Sequence, residues 1–375
     1  MAGAGGSRVE AYFGSLVERY EQPEPPSLVC IVHLLPTALD FVPALARVGR
    51  VASVLPKPKS IDEGVGNELK AKFQIDLLTR DRLADAAQAS ALLEARAGGQ
   101  HVVLLDIGGY FAPSLAALCA GFSGQILGVV EDTENGLQKY ERAGDLPCPV
   151  YSVARSPLKN AEDYLVGVAI VFSTEAVLRT RGDVLQGRSA AVIGYGKIGR
   201  SIAAQLHARH VSTTIYDTDP IAATEAVSHG FRVARDAAAA VEGAGLVISA
   251  TGNRGIGGEE FPRLATGAYV ASVTSSDDEL GLDERGPYEY RWESQDVARY
   301  SADGHYFYVL NEGNAVNFLH GATLGPAIYL VQGEVLAGIA ALCAGDSAGG
   351  MQEVAADERR EIARVWLEHF NDDSG

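Results

Sequence analysis

Arg188-Ser-Ala-Ala-Val-Ile-Gly-Tyr-Gly-Lys-Ile-Gly-Arg-Ser-Ile-Ala203 is followed by Ser212-Thr-Thr-Ile-Tyr-Asp-Thr-Asp-Pro220. The stretch reads as a strand, a glycine turn, a helix and a second strand that ends in an acid. Gly194, Gly196 and Gly199 form G-x-G-x-x-G, with Tyr195, Lys197 and Ile198 between them. The first glycine permits the tight turn, the second lets backbone approach a pyrophosphate, and the third lets helix pack on strand. The free N–H groups and dipole of the helix N-terminus suit phosphate. Asp217 falls where a carboxylate accepts from adenosine ribose hydroxyls and repels a 2′-phosphate. NAD is therefore expected, in preference to NADP.

Working outward, the rest of the chain has the same alternating character. Apolar runs begin at Ser27, Arg50, His101 and Gln125, and later at Leu246, Tyr269 and Tyr306. Helical patterns cover 9–20, 37–48, 82–96, 160–180 and 354–370. Residues 1–7, small and Gly/Ala-rich, read as disordered. Continuous β-branched runs alternating with helices predict buried parallel sheets. The chain has 375 residues, more than one compact core holds well, so two domains are expected. The predicted fold is α/β, with two doubly wound Rossmann-like domains. Residues 1–165 plus 326–375 form one, and the NAD-binding domain, 166–325, is inserted in it.

A net charge of −17 argues against nucleic-acid or anionic-membrane partners. No apolar run is read as long enough to span a bilayer, no signal peptide is visible, and a cytoplasmic location is expected. Cys30, Cys119, Cys148 and Cys343 have neither paired nor metal-like spacing. They read as small hydrophobes in a reducing compartment, and no metal site is expected.

Polar residues fall where strands of the first domain end: His33, Asp106 and the pair Glu131–Asp132. Open parallel sheets bind ligands outside the carboxyl ends of their strands. Asp106, before Gly108-Gly109, has an alternative use in holding a turn. Lys159 and Asp163 stand four apart near the start of a long helix. They read either as an exposed ion pair or as an acid–base lysine with a hydroxyl-gripping aspartate.

Taken together, these segments resemble the S-adenosylhomocysteine hydrolase family over roughly residues 20 to 340. The similarity runs through Cys30-Ile-Val-His33, Leu105-Asp-Ile-Gly-Gly109, Val130-Glu-Asp-Thr-Glu-Asn-Gly136 and Ser156-Pro-Leu-Lys-Asn-Ala-Glu-Asp163. It continues through the glycine turn, Asp217-Thr-Asp-Pro-Ile221, Ala250-Thr-Gly-Asn253 and Glu312-Gly-Asn-Ala-Val-Asn317. The resemblance implies transient oxidation of a nucleoside 3′-hydroxyl by tightly held NAD⁺. The C4′ proton then becomes acidic, the C5′ group leaves, water or a thiol adds, and the ketone is reduced again. It also implies Lys159 as the acid–base for the 3′-hydroxyl, Asp163 and Asp132 on the ribose hydroxyls, and His33 in proton transfer near C4′ and C5′. Thr133, Asn135 and Tyr164 would lie by the nicotinamide, and Thr251, Gly252, Asn253 and Asn317 would line the cofactor. A homo-oligomer, dimer or tetramer, is implied as well.

The chain departs from the family pattern selectively. Ile107 stands for an aspartate, Asp132 for a glutamate, Tyr164 for an asparagine, Val168 for a cysteine and Ser275 for a histidine. Leu35 and Thr37 replace a threonine and a glutamate. Gly325-Pro326 lacks the histidine of Gly-His-Pro; His320, nearby, is either its substitute or a loop residue. The family's C-terminal tail, with its Lys and Tyr, has no counterpart. Groups for the redox half persist, whereas groups for homocysteine elimination and base recognition change. The expected substrate is therefore an adenine nucleoside that loses or gains water at C5′. Adenosylhomocysteine hydrolysis, a nucleoside dehydrogenase or epimerase, and a non-catalytic NAD- or nucleoside-binding regulator are the alternatives.

Overall fold

A computed structural model describes residues 5–274, 279–345 and 349–371. The chain forms two compact units, Met1–Lys159 with Pro326–Gly375, and Asn160–Gly325.

In the first unit, β1 (Ser27–Leu34), β2 (Arg50–Ile61), β3 (His101–Asp106), β4 (Gln125–Glu131) and β5 (Pro149–Ser152) lie in one parallel sheet. Their order is β5-β4-β3-β1-β2, so the chain reverses direction across the sheet at the β1/β3 junction. Such a junction opens a crevice at the carboxyl ends of the strands. Seven of the eight residues of β1 are buried, as a strand covered on both faces requires.

In the second unit the strands are β6 (Ser189–Ile193), β7 (Ser212–Tyr216), β8 (Arg232–Val233), β9 (Leu246–Ser249), β10 (Ala268–Ser272), β11 (Glu289–Ser294), β12 (Val297–Ala302) and β13 (His305–Leu310). The sheet order is β11-β12-β13-β10-β9-β6-β7-β8. The parallel part, β8-β7-β6-β9-β10-β13, is the doubly wound dinucleotide-binding order, with its switch point between β6 and β9. The antiparallel strands β11 and β12 extend that edge. Both sheets bear out the expected α/β class.

The chain then returns to the first unit, where β14 (Gly350–Gln352) pairs with β5. The helices Gly5–Tyr20, Ile328–Ala344 and Ala356–Phe370 cover one face of this sheet and share a core that includes Tyr12, Leu16, Leu336, Ile339 and Ile362. The Tyr12 hydroxyl donates to the Tyr329 carbonyl at 2.8 Å. The opposite face packs Leu92, Leu93, Leu104 and Phe111.

Several expectations are corrected. The first helix starts at Gly5, inside the stretch read as disordered. The pattern over 82–96 is two helices, Arg80–Ala84 and Ala86–Ala97. Asp85 breaks them with an extended backbone and accepts from the N–H groups of Ala87 and Gln88. Strand β2 continues past Leu55 to Ile61, through an irregularity opposite His33: Val32 pairs with Pro56 and Leu34 with Ile61. The segment Gly325–Ala344 is long and apolar enough to cross a membrane by length and composition. It is 67% buried within the protein, and its apolar surface on all sides hid it from a search for amphipathic periodicity. Cys119 and Cys148, remote in sequence, share a thiol hydrogen bond.

Candidate active site

The carboxyl ends of β1, β3 and β4 bring one polar cluster together in the first unit. Asp106 ends β3 and is fully buried. It accepts from the N–H groups of Tyr110 and Phe111 at 3.0 and 2.9 Å and from the Tyr140 hydroxyl at 2.6 Å. Its turn-holding alternative is thus realised. Glu131 ends β4 and has the same fate, accepting from Gly108 N and Gly109 N at 3.0 Å each and from Thr133 N at 2.7 Å. Burial, reinforced by Asp106, pushes its carboxyl up to about 8, while these bonds pull the other way. The two acids brace the Gly108-Gly109 loop.

Asp132, the next residue, faces a different partner. Lys159 Nζ donates to its Oδ1 at 3.1 Å. Lys159 is buried, so the reading of an exposed ion pair with Asp163 does not hold. The buried Asp163 has Lys197 Nζ at 3.7 Å from its Oδ2, within the second unit. His33 Nδ1 lies 2.5 Å from Ser60 Oγ. Burial, with the charges of Lys57 and Lys159, pushes His33 down to about 3, so the imidazole is neutral at physiological pH. Thr133 caps the helix Glu134–Ala143 by accepting from Gly136 N at 3.1 Å, and donates to Glu131 Oε1 at 2.6 Å. Asn135 lies on the first turn of that helix.

Lys57 joins this cluster without having been singled out from the sequence. It sits in the irregular part of β2, where Pro56-Lys57-Pro58-Lys59 carries no periodic signal. Only the register of β2 against β1 brings it near His33.

In the second unit, the turn after β6 carries Gly194 at φ +95°, where a Cβ would stand 2.5 Å from the Ala250 carbonyl oxygen. Gly199 lies so close to that turn that a Cβ would meet Gly194 O at 2.0 Å. Gly196, at the N-cap of the helix Lys197–Ala208, makes no side-chain cap, and a Cβ there would meet open space. Asp217 follows β7 and accepts from Tyr195 N at 2.5 Å and Asp219 N at 2.8 Å. The strand, uncapped helix N-terminus, open glycine and acid fit a dinucleotide pyrophosphate and ribose.

The loop after β9 completes this edge. Thr251 N, Thr251 Oγ1 and Gly252 N donate to the Glu279 carboxylate at 3.2, 3.0 and 2.7 Å, and Ser249 Oγ does so at 2.6 Å. Glu279 is fully buried, which pushes its carboxyl up. Sequence reading missed it because its role exists only once the chain folds back on β9. Asn253 N bonds Thr251 Oγ1 at 3.0 Å. Asn317 is buried with no partner on its Oδ1, on the wall of a cavity of about 330 Å³ that also involves Val168, Phe172 and His320. An unsatisfied amide oxygen beside a cavity suits a polar ligand group. Tyr164 is half exposed, and its carbonyl accepts from Ser201 Oγ at 2.6 Å. Ser275 lies outside the described residues.

Residues 171–323 match the family described as S-adenosyl-L-homocysteine hydrolase, NAD binding domain. The second unit thus carries the NAD-binding domain of that family, and the chain is similar to its members over part of its length. It is 30% identical over 214 residues to an S-inosyl-L-homocysteine hydrolase from Methanopyrus kandleri, covering 52% of this chain and 48% of that protein. It is 30% identical over 263 residues to an adenosylhomocysteinase from Archaeoglobus fulgidus, 64% of each. The alignments thus span about half to two-thirds of these relatives. Among solved structures, a phosphoglycerate oxidoreductase from Vibrio cholerae o395 overlaps 60% of this chain and 75% of its own, at 16% identity and a TM-score of 0.38. NAD is the cofactor of the family domain matched here, and the glycine turn and Asp217 are the residues that fit it.

Proposed function

We propose that this protein is a redox-neutral, NAD-dependent enzyme that acts on an adenine nucleoside. The first unit holds the nucleoside and the second holds NAD. Bound NAD supplies the oxidising power for a sugar hydroxyl. Lys159 takes the hydroxyl proton and later returns it. Asp132 fixes the lysine amine and grips a neighbouring hydroxyl. His33, neutral and held by Ser60, accepts the C4′ proton that a 3′-ketone makes acidic. Elimination or addition of water at C5′ follows, and reduction of the ketone closes the cycle.

The observation that carries this reading is the Lys159–Asp132 pair, buried beside a neutral His33. A positioned lysine amine can carry a hydroxyl proton, and a neutral imidazole has a free nitrogen lone pair to accept one. Ile107, an apolar buried residue, takes no part in proton transfer. That supports water chemistry over homocysteine transfer.

The test is incubation with NAD⁺ and adenine nucleosides in D₂O. Absorbance at 340 nm, C4′ deuteration and product mass are read together. C4′ exchange with transient reduction and a mass change of one water is the expected result. Stoichiometric NADH accumulation would instead make the enzyme a dehydrogenase. Absence of both exchange and reduction would sink the proposal.

A further inference from the structure

Two thiols remote in sequence meet at the amino edge of the first unit's sheet. The helix Leu115–Gly121 follows β3 and carries the chain back to that edge, where the parallel strand β4 begins at Gln125. Cys119 stands in the last turn of this helix. Cys148 directly precedes β5, which runs parallel to β4 and so starts at the same edge. Cys148 is buried in a core that includes Leu118, Tyr140 and Val150, and the partly exposed Cys119 packs against that core. The two thiols share a hydrogen bond, so their sulfurs are neighbours.

Each sulfur hangs from a stiff backbone. Cys119 belongs to a helix whose end is closed by Phe122 N donating to Leu118 O at 3.0 Å. Cys148 lies between Pro147 and Pro149. The ring of Pro147 fixes φ just ahead of it, and Pro149 confines Cys148 itself to extended backbone. Two sulfurs placed in this way favour each other over any other partner. The shared bond lowers the Cys119 thiol, because its thiolate accepts from Cys148 S–H. Cys30 and Cys343 differ. Burial pushes Cys30 up to about 12 and Cys343 up to about 11, so neither offers a thiolate near neutral pH.

We propose that Cys119 and Cys148 form a reversible oxidation site for a hydroperoxide, and that the resulting disulfide braces the amino edge of this sheet. The exposed sulfur reacts first. Cys119 sulfur attacks one peroxide oxygen: an S–O bond forms, the O–O bond breaks, and hydroxide leaves as water with the proton that Cys119 released. Cys119 is then a sulfenic acid. Cys148 sulfur attacks Cys119 sulfur: the S–S bond forms, the S–O bond breaks, and hydroxide leaves as water with the Cys148 proton. Two thiols give up two electrons, and one hydrogen peroxide accepts them to become two waters. The sulfurs close from hydrogen-bonding distance to about 2 Å. The bridge ties the helix to β5 at the edge opposite Asp106, Glu131 and Asp132, which end or follow their strands, so the polar cluster is left as it is. The site stands independently of the nucleoside reading.

The experiment treats the full chain with graded hydrogen peroxide and blocks the remaining thiols with iodoacetamide in denaturant. Intact mass and peptide maps are then read. The expected product has lost two hydrogens, links the Cys119 and Cys148 peptides within one chain, and carries alkylated Cys30 and Cys343. A dithiol reductant should restore all four thiols. The oxidised protein should melt about 3 °C or more above the reduced one, as a cross-link that closes a loop predicts. Cys148→Ser should stop at a Cys119 sulfenic acid that dimedone traps, whereas Cys119→Ser should leave Cys148 a thiol. Four intact thiols at peroxide levels that oxidise free cysteine would overturn the inference. So would a link that includes Cys30 or Cys343, a link between chains, or passage of Cys119 straight to sulfinic acid. A linked protein that melts no higher than the reduced one would overturn the brace.

Discussion

Lys159 Nζ and Asp132 Oδ1 lie 3.1 Å apart, and both side chains are largely shielded from water. The pair joins the end of β4 to the first residue of the helix Lys159–Thr180. An ammonium held this way has a fixed direction, which a proton carrier needs more than it needs raw basicity. Lys159→Ala is expected to lower turnover by about 10²- to 10⁴-fold. Lys159→Arg should not rescue it, because a guanidinium does not release its proton. NAD affinity should persist in both variants, since the residues that fit NAD stand after β6 and β7. Steady-state kinetics with parallel NAD titration checks this. Near-normal turnover of Lys159→Ala would remove the lysine from the chemistry.

His33 gives a prediction about pH. Its folded pKa is about 3, against 6.5 for the free side chain. The unfolded chain therefore binds the proton first. The associated stability is present in full above about pH 6.5 and is lost as pH falls towards 3. Urea midpoints measured between pH 7 and 5 should fall more steeply for the wild type than for His33→Asn. Parallel slopes would mean that the imidazole protonates freely in the folded protein.

Much of this arrangement was legible beforehand. The two parallel sheets followed from β-branched runs such as Val29-Cys-Ile-Val32, because a strand covered on both faces must be apolar throughout. The dinucleotide turn followed from three glycines whose lack of Cβ is physically demanded at Gly194 and Gly199. What escaped has physical causes too. The helix Ile328–Ala344 is apolar all round, so it has no periodic face to read. The edge strand β11 is exposed along its length and carries no core pattern. Glu279 and Lys57 act only through long-range register, which local sequence does not encode. Asp106 and Glu131 stood at the right sheet edge, yet only the hydrogen bonds separate their bracing role from that of Asp132.

The C-terminal helix is tied to the first unit by a buried charge. Glu334, fully buried on the apolar helix Ile328–Ala344, accepts from Arg359 Nε at 2.6 Å. Arg359 also reaches Glu353 at 3.0 Å. Removing one partner of a buried pair leaves the other uncompensated, typically at a loss of about 3 kcal/mol or more. Arg359→Ala, which strips the fully buried Glu334 of its cation, should lower the urea-unfolding free energy by about that much. The double replacement Glu334→Leu with Arg359→Leu should lower it by less. If the single variant proved the milder of the two, the pair would not be acting as a compensated buried charge.

Two glycines of the turn separate folding from cofactor binding. At Gly199 a Cβ would overlap Gly194 O at 2.0 Å, so Gly199→Ala must displace either the helix or the turn. It should lower thermal stability even without NAD, and weaken NAD binding as a consequence. At Gly196 a Cβ meets nothing within 4 Å, and the backbone has a negative φ of −69° that alanine adopts. Gly196→Ala should therefore leave the apo-protein's melting temperature within about 2 °C of wild type, as expected of a change without strain. Its methyl group would still occupy the approach that a pyrophosphate needs, and NAD affinity should fall at least tenfold. Thermal melts of the stripped protein, paired with NAD titration by fluorescence, read the two effects separately. Unaltered NAD affinity in Gly196→Ala would place the pyrophosphate somewhere other than this helix N-terminus.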